Sequence, residues 1–213
     1  AMARSLRISE EECASSLFCE FFSGQQGKVT ALQSWCTPYA LTIMGQAYYN
    51  NCPFGNGNGY GDGRAVSVGE VLVDGRRWEM QLKGGGTTPF CRSADGRAVL
   101  RSSVREFLAS EAMHSLGVET TRALSLVVSG KEKIQRPWYS GASDGPKVWG
   151  PDTRIMEACA ITTRVAPSFL RVGHIDLFAR RARATGSAEA RRQHEQIVEH
   201  ALIREYPDAA PGE

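Results

Sequence analysis

The clearest pattern along the chain lies between residues 65 and 83. Ala65 to Val73 is a valine-rich run. Arg77 to Lys83 alternates, with Trp78, Met80 and Leu82 on one side and Glu79, Gln81 and Lys83 on the other. A period of two residues marks a strand with one apolar face. Asp74-Gly75 between the runs is a strong turn signal, so the segment predicts a β-hairpin. Further strands are expected over Thr120–Ser129 and Ala158–Val165, with Gly130-Lys131-Glu132-Lys133 as a turn after the first. Glu10–Phe22 reads as a short amphipathic helix. A second helix is expected from a Ser102 or Ser103 cap to about Leu116, ended by Gly117. Its apolar arc contains Val104, Phe107, Leu108 and Ala112; Glu111 falls inside that arc and Glu106 off it. Helices are expected again from about Ser168 and over Ala188–Tyr206. Tyr39–Tyr49 is apolar enough to be a buried helix or a buried strand, and periodicity does not separate the two.

Glycine and proline punctuate the rest. Gly55, Gly57, Gly59, Gly61 and Gly63 fall within one short stretch that cannot be the interior of a regular element. Gly84-Gly85-Gly86 closes the alternating strand, and Ser93-Ala94-Asp95-Gly96-Arg97 is another turn. Residues 137–152 hold three prolines and three glycines and read as a surface insertion.

Composition narrows the class. The chain has 213 residues, 42% of them hydrophobic and 23% charged, within the globular range. No apolar run approaches the ~18 residues that cross a bilayer, so no membrane partner is expected. Ala1–Ser5 carries no apolar signal-peptide core. The formal charge of +2 is too balanced to argue for nucleic acid as a partner. The Arg191-Arg192 pair is interleaved with Glu189, Glu195 and Glu199, which suits a solvated helix face. The six cysteines lack zinc-ribbon or thioredoxin-like spacing and are expected to be reduced. His194 and His200 are six apart, off a common helix face, so no metal site is expected in this chain. Among the 25 basic residues only Lys28, Lys83, Lys131, Lys133 and Lys147 are lysines, which draws attention to the setting of each.

Lys83 has the informative setting. A glycine-rich loop, a β-hairpin, a lysine closing a strand and a helix bearing Glu106 follow one another along the chain. Glycines let backbone N–H groups approach phosphate oxygens. A strand-borne lysine adds a point charge against phosphates, and a helical glutamate can hold it in place, as in the kinase ion pair. No Walker A or Rossmann fingerprint is present. The order of the parts points to nucleotide binding. The plainer alternative is a surface lysine at a strand end, with glycines that only turn the chain.

The residues also resemble a known family. Gly61-Asp62-Gly63-Arg64-Ala65, Gly69-Glu70-Val71, and Gln81-Leu82-Lys83-Gly84-Gly85-Gly86-Thr87-Thr88-Pro89-Phe90 are similar to motifs of the selenoprotein O family. So are the run from Asp95 to Leu108, Thr120–Val127, and the run from Thr163 to His174. These blocks occur in order from about residue 20 to 207. Where the family carries His-Gln-Phe-Gly, this chain reads Cys52-Pro53-Phe54-Gly55.

The resemblance implies an α+β, protein-kinase-like fold of the pseudokinase type. Residues 20–165 would form an N-terminal lobe with the 137–152 insertion, and 166–213 would begin a helical lobe. It implies protein adenylylation, with AMP passing from ATP to Ser, Thr or Tyr hydroxyls of protein substrates with Mg²⁺. By motif position Gly61, Gly63, Arg64, Lys83, Asp95, Gly96, Arg164 and Arg171 would bind nucleotide, with Glu106 positioning Lys83 for catalysis. The family's catalytic base and Mg²⁺ ligands are expected beyond residue 213, so the chain by itself is expected to be inactive. Two alternatives stay open: a nucleotide-binding or regulatory module without catalysis, and an ordinary kinase using the γ-phosphate. The compartment expected is cytoplasmic in a bacterium or mitochondrial in a eukaryote.

Overall fold

The structure, a computed structural model, describes residues 1–25, 63–88, 91, 94–137 and 153–206. The expectations for Tyr39–Tyr49, for most of the glycine-rich loop including Gly61, and for residues 138–152 lie outside the described residues.

The described part is α+β, built on one antiparallel sheet. Strand β1 (Ala65–Val73) and strand β2 (Arg76–Lys83) form the expected hairpin. Its turn residues Asp74 and Gly75 both have positive φ, 52° and 75°, matching the twist of the strands they join. Strand β5 (Arg154–Ala166) is central. One edge of it pairs first with β2 (Lys83↔Thr162, Gln81↔Arg164) and then with the short β3, Ala98–Val99. The other edge pairs with β4, Arg122–Pro137.

Strand β4 differs from expectation. Gly130 to Lys133 does not reverse the chain but lies within the strand, in a bulge between Val128↔Ala160 and Lys133↔Ala158. Pairing with β5 on both sides of the bulge overrides the local turn preference of Gly130.

The alternation in β2 is realised on both faces. Met80 and Leu82 join Val68 and Val165 in the core, with Trp78 packed at its edge. Short helices α1 (Met2–Ser5) and α3 (Ser16–Phe22), with α2 (Glu10–Ala14) between them, cover that face through Met2, Phe21 and Phe22, joined by Leu6 just past α1. The expected single helix over Glu10–Phe22 is split at Ser15, whose backbone is extended and whose hydroxyl accepts from Phe18 N–H to start α3.

Helix α4 (Leu100–Ser115) begins earlier than the serine caps suggested. It follows directly from β3, and Ser102 donates its hydroxyl to the Val99 carbonyl while Ser103 is buried. Its expected apolar arc is corrected too: Leu108 is 62% exposed and Ala112 is exposed. The helix docks through ion pairs, Glu106 with Lys83, Arg101 with Glu157 and Glu111 with Arg122.

Helix α5 (Val172–Thr185) starts four residues after Ser168, whose hydroxyl instead accepts from Leu170 N–H. It packs Leu177 and Phe178 on Ile197 of α6, Ala188–Glu205. Gly186 turns the chain between them at φ 61°, and the Ser187 hydroxyl caps α6 by accepting from Ala190 N–H at 3.1 Å. Ser187→Ala removes that acceptor and is expected to cost about 1 kcal/mol. Urea denaturation checks it, and an unchanged midpoint would contradict it.

Candidate functional site

The face of the sheet away from the apolar core carries a row of polar residues. Sheet register places Ser67 on β1, Gln81 on β2 and Arg164 on β5 side by side. Arg164 Nη2 donates to Gln81 Oε1 at 2.7 Å, and Gln81 Nε2 donates to Ser67 Oγ at 3.3 Å. The Ser67 hydroxyl donates to Glu79 Oε1 at 2.6 Å. Gln81 and Ser67 are fully buried and Glu79 nearly so.

Lys83 lies at the end of this row and is brought together with Glu106, as expected from sequence. Its Nζ donates to Glu106 Oε2 at 2.6 Å, and Arg164 Nη1 stands 3.7 Å from Glu106 Oε1. One helical carboxylate therefore serves two cations on adjacent strands. Burial is the main influence pushing the Lys83 ammonium below its ordinary pKa; the Glu106 hydrogen bond opposes it, and the charges of Arg164 and Arg64 add to the lowering. The folded protein thus holds this proton less tightly than the unfolded chain does. That costs stability at neutral pH, and the cost fades as pH rises through the lowered pKa. The Lys83 and Glu106 side chains remain 27% and 28% exposed, so a ligand can reach them. The Arg164 guanidinium also stands 5.3 Å from the Phe169 ring centre, a cation–π contact.

The turn expected to line the nucleotide, Asp95-Gly96, packs against the Gly84–Gly86 turn in a tight joint. Gly84 sits where β5 exchanges β2 for β3, donating N–H to Arg64 O and accepting from Ala98 N–H. A Cβ on it would lie 2.3 Å from Ala98 Cβ. Gly96, at φ 65°, presses on the neighbouring turn so closely that a Cβ would lie 1.8 Å from the Gly86 carbonyl oxygen. Arg64 Nη1 donates to the Arg97 carbonyl at 2.8 Å, fastening the start of β1 to this joint. Thr88 donates its hydroxyl to the Gly63 carbonyl beside it.

Asp95 accepts from Arg97 N–H, shaping the turn, and forms a two-pronged pair with Arg136, both contacts at 2.7 Å. The Arg136 hydrogen bonds hold its carboxyl well below the usual range, at about 2. Because the folded pKa is depressed, the stability this pair supplies is present above the ordinary carboxylate pKa of about 4 and is lost as pH falls towards 2. Asp95→Asn is expected to flatten acid destabilisation between pH 5 and 2 by less than about 1 kcal/mol, since the pair is exposed. An identical acid profile would contradict this.

Arg171 stands at the N-cap of α5, seven residues beyond Arg164, where its backbone N–H donates to His174 Nδ1 and its carbonyl accepts from His174 N–H. Gly61 lies outside the described residues. Sequence reasoning missed Gln81, Ser67 and Glu79 as members of the site, although the alternation had set Glu79 and Gln81 on the face of Lys83. It also missed Glu111, which accepts two hydrogen bonds from Arg122 and one from Ala123 N–H and so anchors the far end of α4.

No group of three His, Cys, Asp or Glu side chains among the described residues could hold a metal ion. The carboxylates at the row and the joint, Glu79, Glu106 and Asp95, are engaged by Ser67, Lys83 and Arg136 respectively. These residues do not fit a metal site, and no step is assigned to one. Among the described residues no helix is long and apolar enough to cross a membrane, and Cys13, Cys19, Cys91 and Cys159 are free thiols.

Comparison with known proteins agrees with the motifs. The family model described as Protein adenylyltransferase SelO matches residues 1–208. A protein named Protein nucleotidyltransferase YdiU from Xanthomonas campestris pv. campestris is 45% identical over 213 residues, 99% of this chain and 35% of its own length. One of the same name from Methylobacillus flagellatus is 42% identical over 209 residues, covering 97% of this chain and 35% of its own length. Another from an Azoarcus species is 48% identical over 182 residues, 84% of this chain and 31% of its own length. The chain spans about a third of the length of these curated relatives.

Proposed function

The chain belongs to the SelO family of protein adenylyltransferases, and from that premise we propose that it carries the ATP-binding part of a nucleotidyltransferase. The observation that carries the reading is the sharing of Glu106 between Lys83 and Arg164, in a site whose burial and neighbouring arginines disfavour the lysine's own charge. Such a place gains most from a ligand bearing several negative charges. A polyphosphate meets that need, with Lys83 as a point charge and Arg164 as a planar donor.

In this reading the described region is the N-terminal lobe of a protein-kinase-like fold, and α5 begins a helical lobe. Gly61, Gly63 and Arg64 contact the nucleotide, Gly63 and Arg64 from just before β1, while Asp95 and Gly96 border it at the joint. Arg171 reaches the phosphates from the start of α5. Glu106 sets the position of Lys83. The reaction is attack by a Ser, Thr or Tyr hydroxyl of a protein substrate on the α-phosphorus of ATP. The bond from that phosphorus to the bridging oxygen of the pyrophosphate breaks, the hydroxyl proton passes to a base, and pyrophosphate leaves. Lys83, Arg164 and Arg171 offset the charge that builds on the phosphate oxygens.

Labelled ATP tests the reaction in the natural protein that carries this chain. Transfer of an α-phosphate label to protein, with no transfer of a γ-label, is the expected result. Transfer of the γ-label would establish phosphorylation instead, and absence of both with intact ATP binding would establish a binding module.

A further inference from the structure

Buried polar chains are costly unless every member is satisfied, and apolar residues would fill the same space more cheaply. The row Glu79–Ser67–Gln81–Arg164 is such a chain, crossing β1, β2 and β5. Its hydrogen bonds run in one direction. Ser67 has a single proton, and it is donated to Glu79. The serine oxygen can then only accept from Gln81, which turns the Gln81 amide so that its NH₂ faces Ser67 and its carbonyl faces Arg164. A reversed amide would set NH₂ against guanidinium, donor against donor, in a buried place. Arg164 is consequently gripped on one side by Gln81 Oε1 at 2.7 Å and on the other by Glu106 at 3.7 Å.

We propose that Glu79, Ser67 and Gln81 are positioning residues whose relay holds the Arg164 guanidinium rigidly in one orientation towards the phosphates of the bound nucleotide. The proposal rests on the ATP-binding reading for its consequence but not for its geometry. Gln81 touches no reacting atom; it acts through Arg164. Its value lies in preorganisation, because a fixed guanidinium loses little further freedom when the ligand arrives.

Two measurements on this chain separate a positioning role from a merely structural one. The first is the nitrogen-15 relaxation of the Arg164 guanidinium without ligand. Slow Nη rotation is expected in the wild type and fast rotation in Gln81→Met, a variant of similar volume lacking the carbonyl. Equally slow rotation in both would overturn the proposal whatever the chain binds. The second is calorimetry with ATP and with adenosine. Gln81→Met is expected to weaken ATP by roughly tenfold, the loss of about 1.4 kcal/mol, and to leave adenosine unchanged. In an Arg164→Met background it is expected to have no further effect. An equal loss for both ligands, or additivity with Arg164→Met, would reduce Gln81 to a packing residue and overturn the proposal. Ser67→Ala, a smaller change on the neighbouring strand, should reproduce a fraction of the same ATP-only loss, and its failure to do so counts against the relay. A wild-type chain that holds Arg164 rigid but binds no ATP would refute the ATP-binding reading and leave the positioning geometry intact.

Discussion

Replacing Lys83 with methionine is expected to lower the affinity of the chain for ATP by roughly 10- to 100-fold, the range for losing a hydrogen bond to a charged group. The same variant should unfold at an unchanged or slightly higher denaturant concentration. The two effects diverge for one reason. Burial and the charges of Arg164 and Arg64 already disfavour the Lys83 ammonium, so the fold keeps it at a cost that an anionic ligand relieves. Methionine removes both the cost and the ligand contact, and Glu106 retains Arg164 nearby. The pH dependence has a matching sign. Since the Lys83 pKa is lowered, ATP affinity should fall as pH rises through that lowered value, before an ordinary lysine would begin to titrate. In Lys83→Met this part of the pH dependence should be absent. Calorimetry across pH checks both statements. A variant that binds ATP as well as the wild type would remove Lys83 from the site.

The largest effect on stability is expected at Gly96. A Cβ there would fall 1.8 Å from the Gly86 carbonyl oxygen, and φ is 65°. Backbone stands against backbone, so no side-chain rotation relieves the overlap. Left-handed backbone in a residue with a Cβ costs about 1–3 kcal/mol, and forced overpacking costs a similar amount, so Gly96→Ala should destabilise by roughly 4 kcal/mol. Gly117→Ala is the matched control. Gly117 has φ 77° with nothing within 4 Å of the added atom, so only the backbone penalty of about 1–3 kcal/mol applies. Urea denaturation of the pair isolates the clash. Equal losses would mean that the joint between the two turns is looser than the structure shows. This geometry also gives Gly96 a structural reason to be glycine that holds with or without a nucleotide beside it.

Local signals read correctly where the chain solves its own problem locally. The β1–β2 hairpin followed from strict alternation and an Asp-Gly turn, and both strands stand within a residue of expectation. The Lys83–Glu106 pair, 23 residues apart in sequence, was legible because the order loop, strand lysine and helical glutamate is itself informative. Failures came where distant pairing overrode local preference. Gly130–Lys133 looked like a turn, but β5 holds residues on both sides of it in one strand. Helix α4 reads as docking through an apolar arc of Val104, Phe107, Leu108 and Ala112, yet it is held by Glu106, Arg101 and Glu111, whose partners lie outside the helix. Gln81 and Glu79 read as the wet face of an alternating strand. Nothing nearby in sequence says that Ser67 and Arg164 would bury them in a hydrogen-bonded row. The Asp95–Arg136 pair was invisible for the same reason, its members standing 41 positions apart in sequence.

The most direct test of the ATP site is a nucleotide titration of this chain, followed by backbone amide nitrogen-15 shifts in the wild type and in Lys83→Met. Saturable shifts at residues 81–84, 106 and 162–164 on addition of ATP, strongly reduced in Lys83→Met, are predicted. Shifts confined to other parts of the chain, or a response to ATP identical in the two proteins, would contradict the assignment of this face to nucleotide.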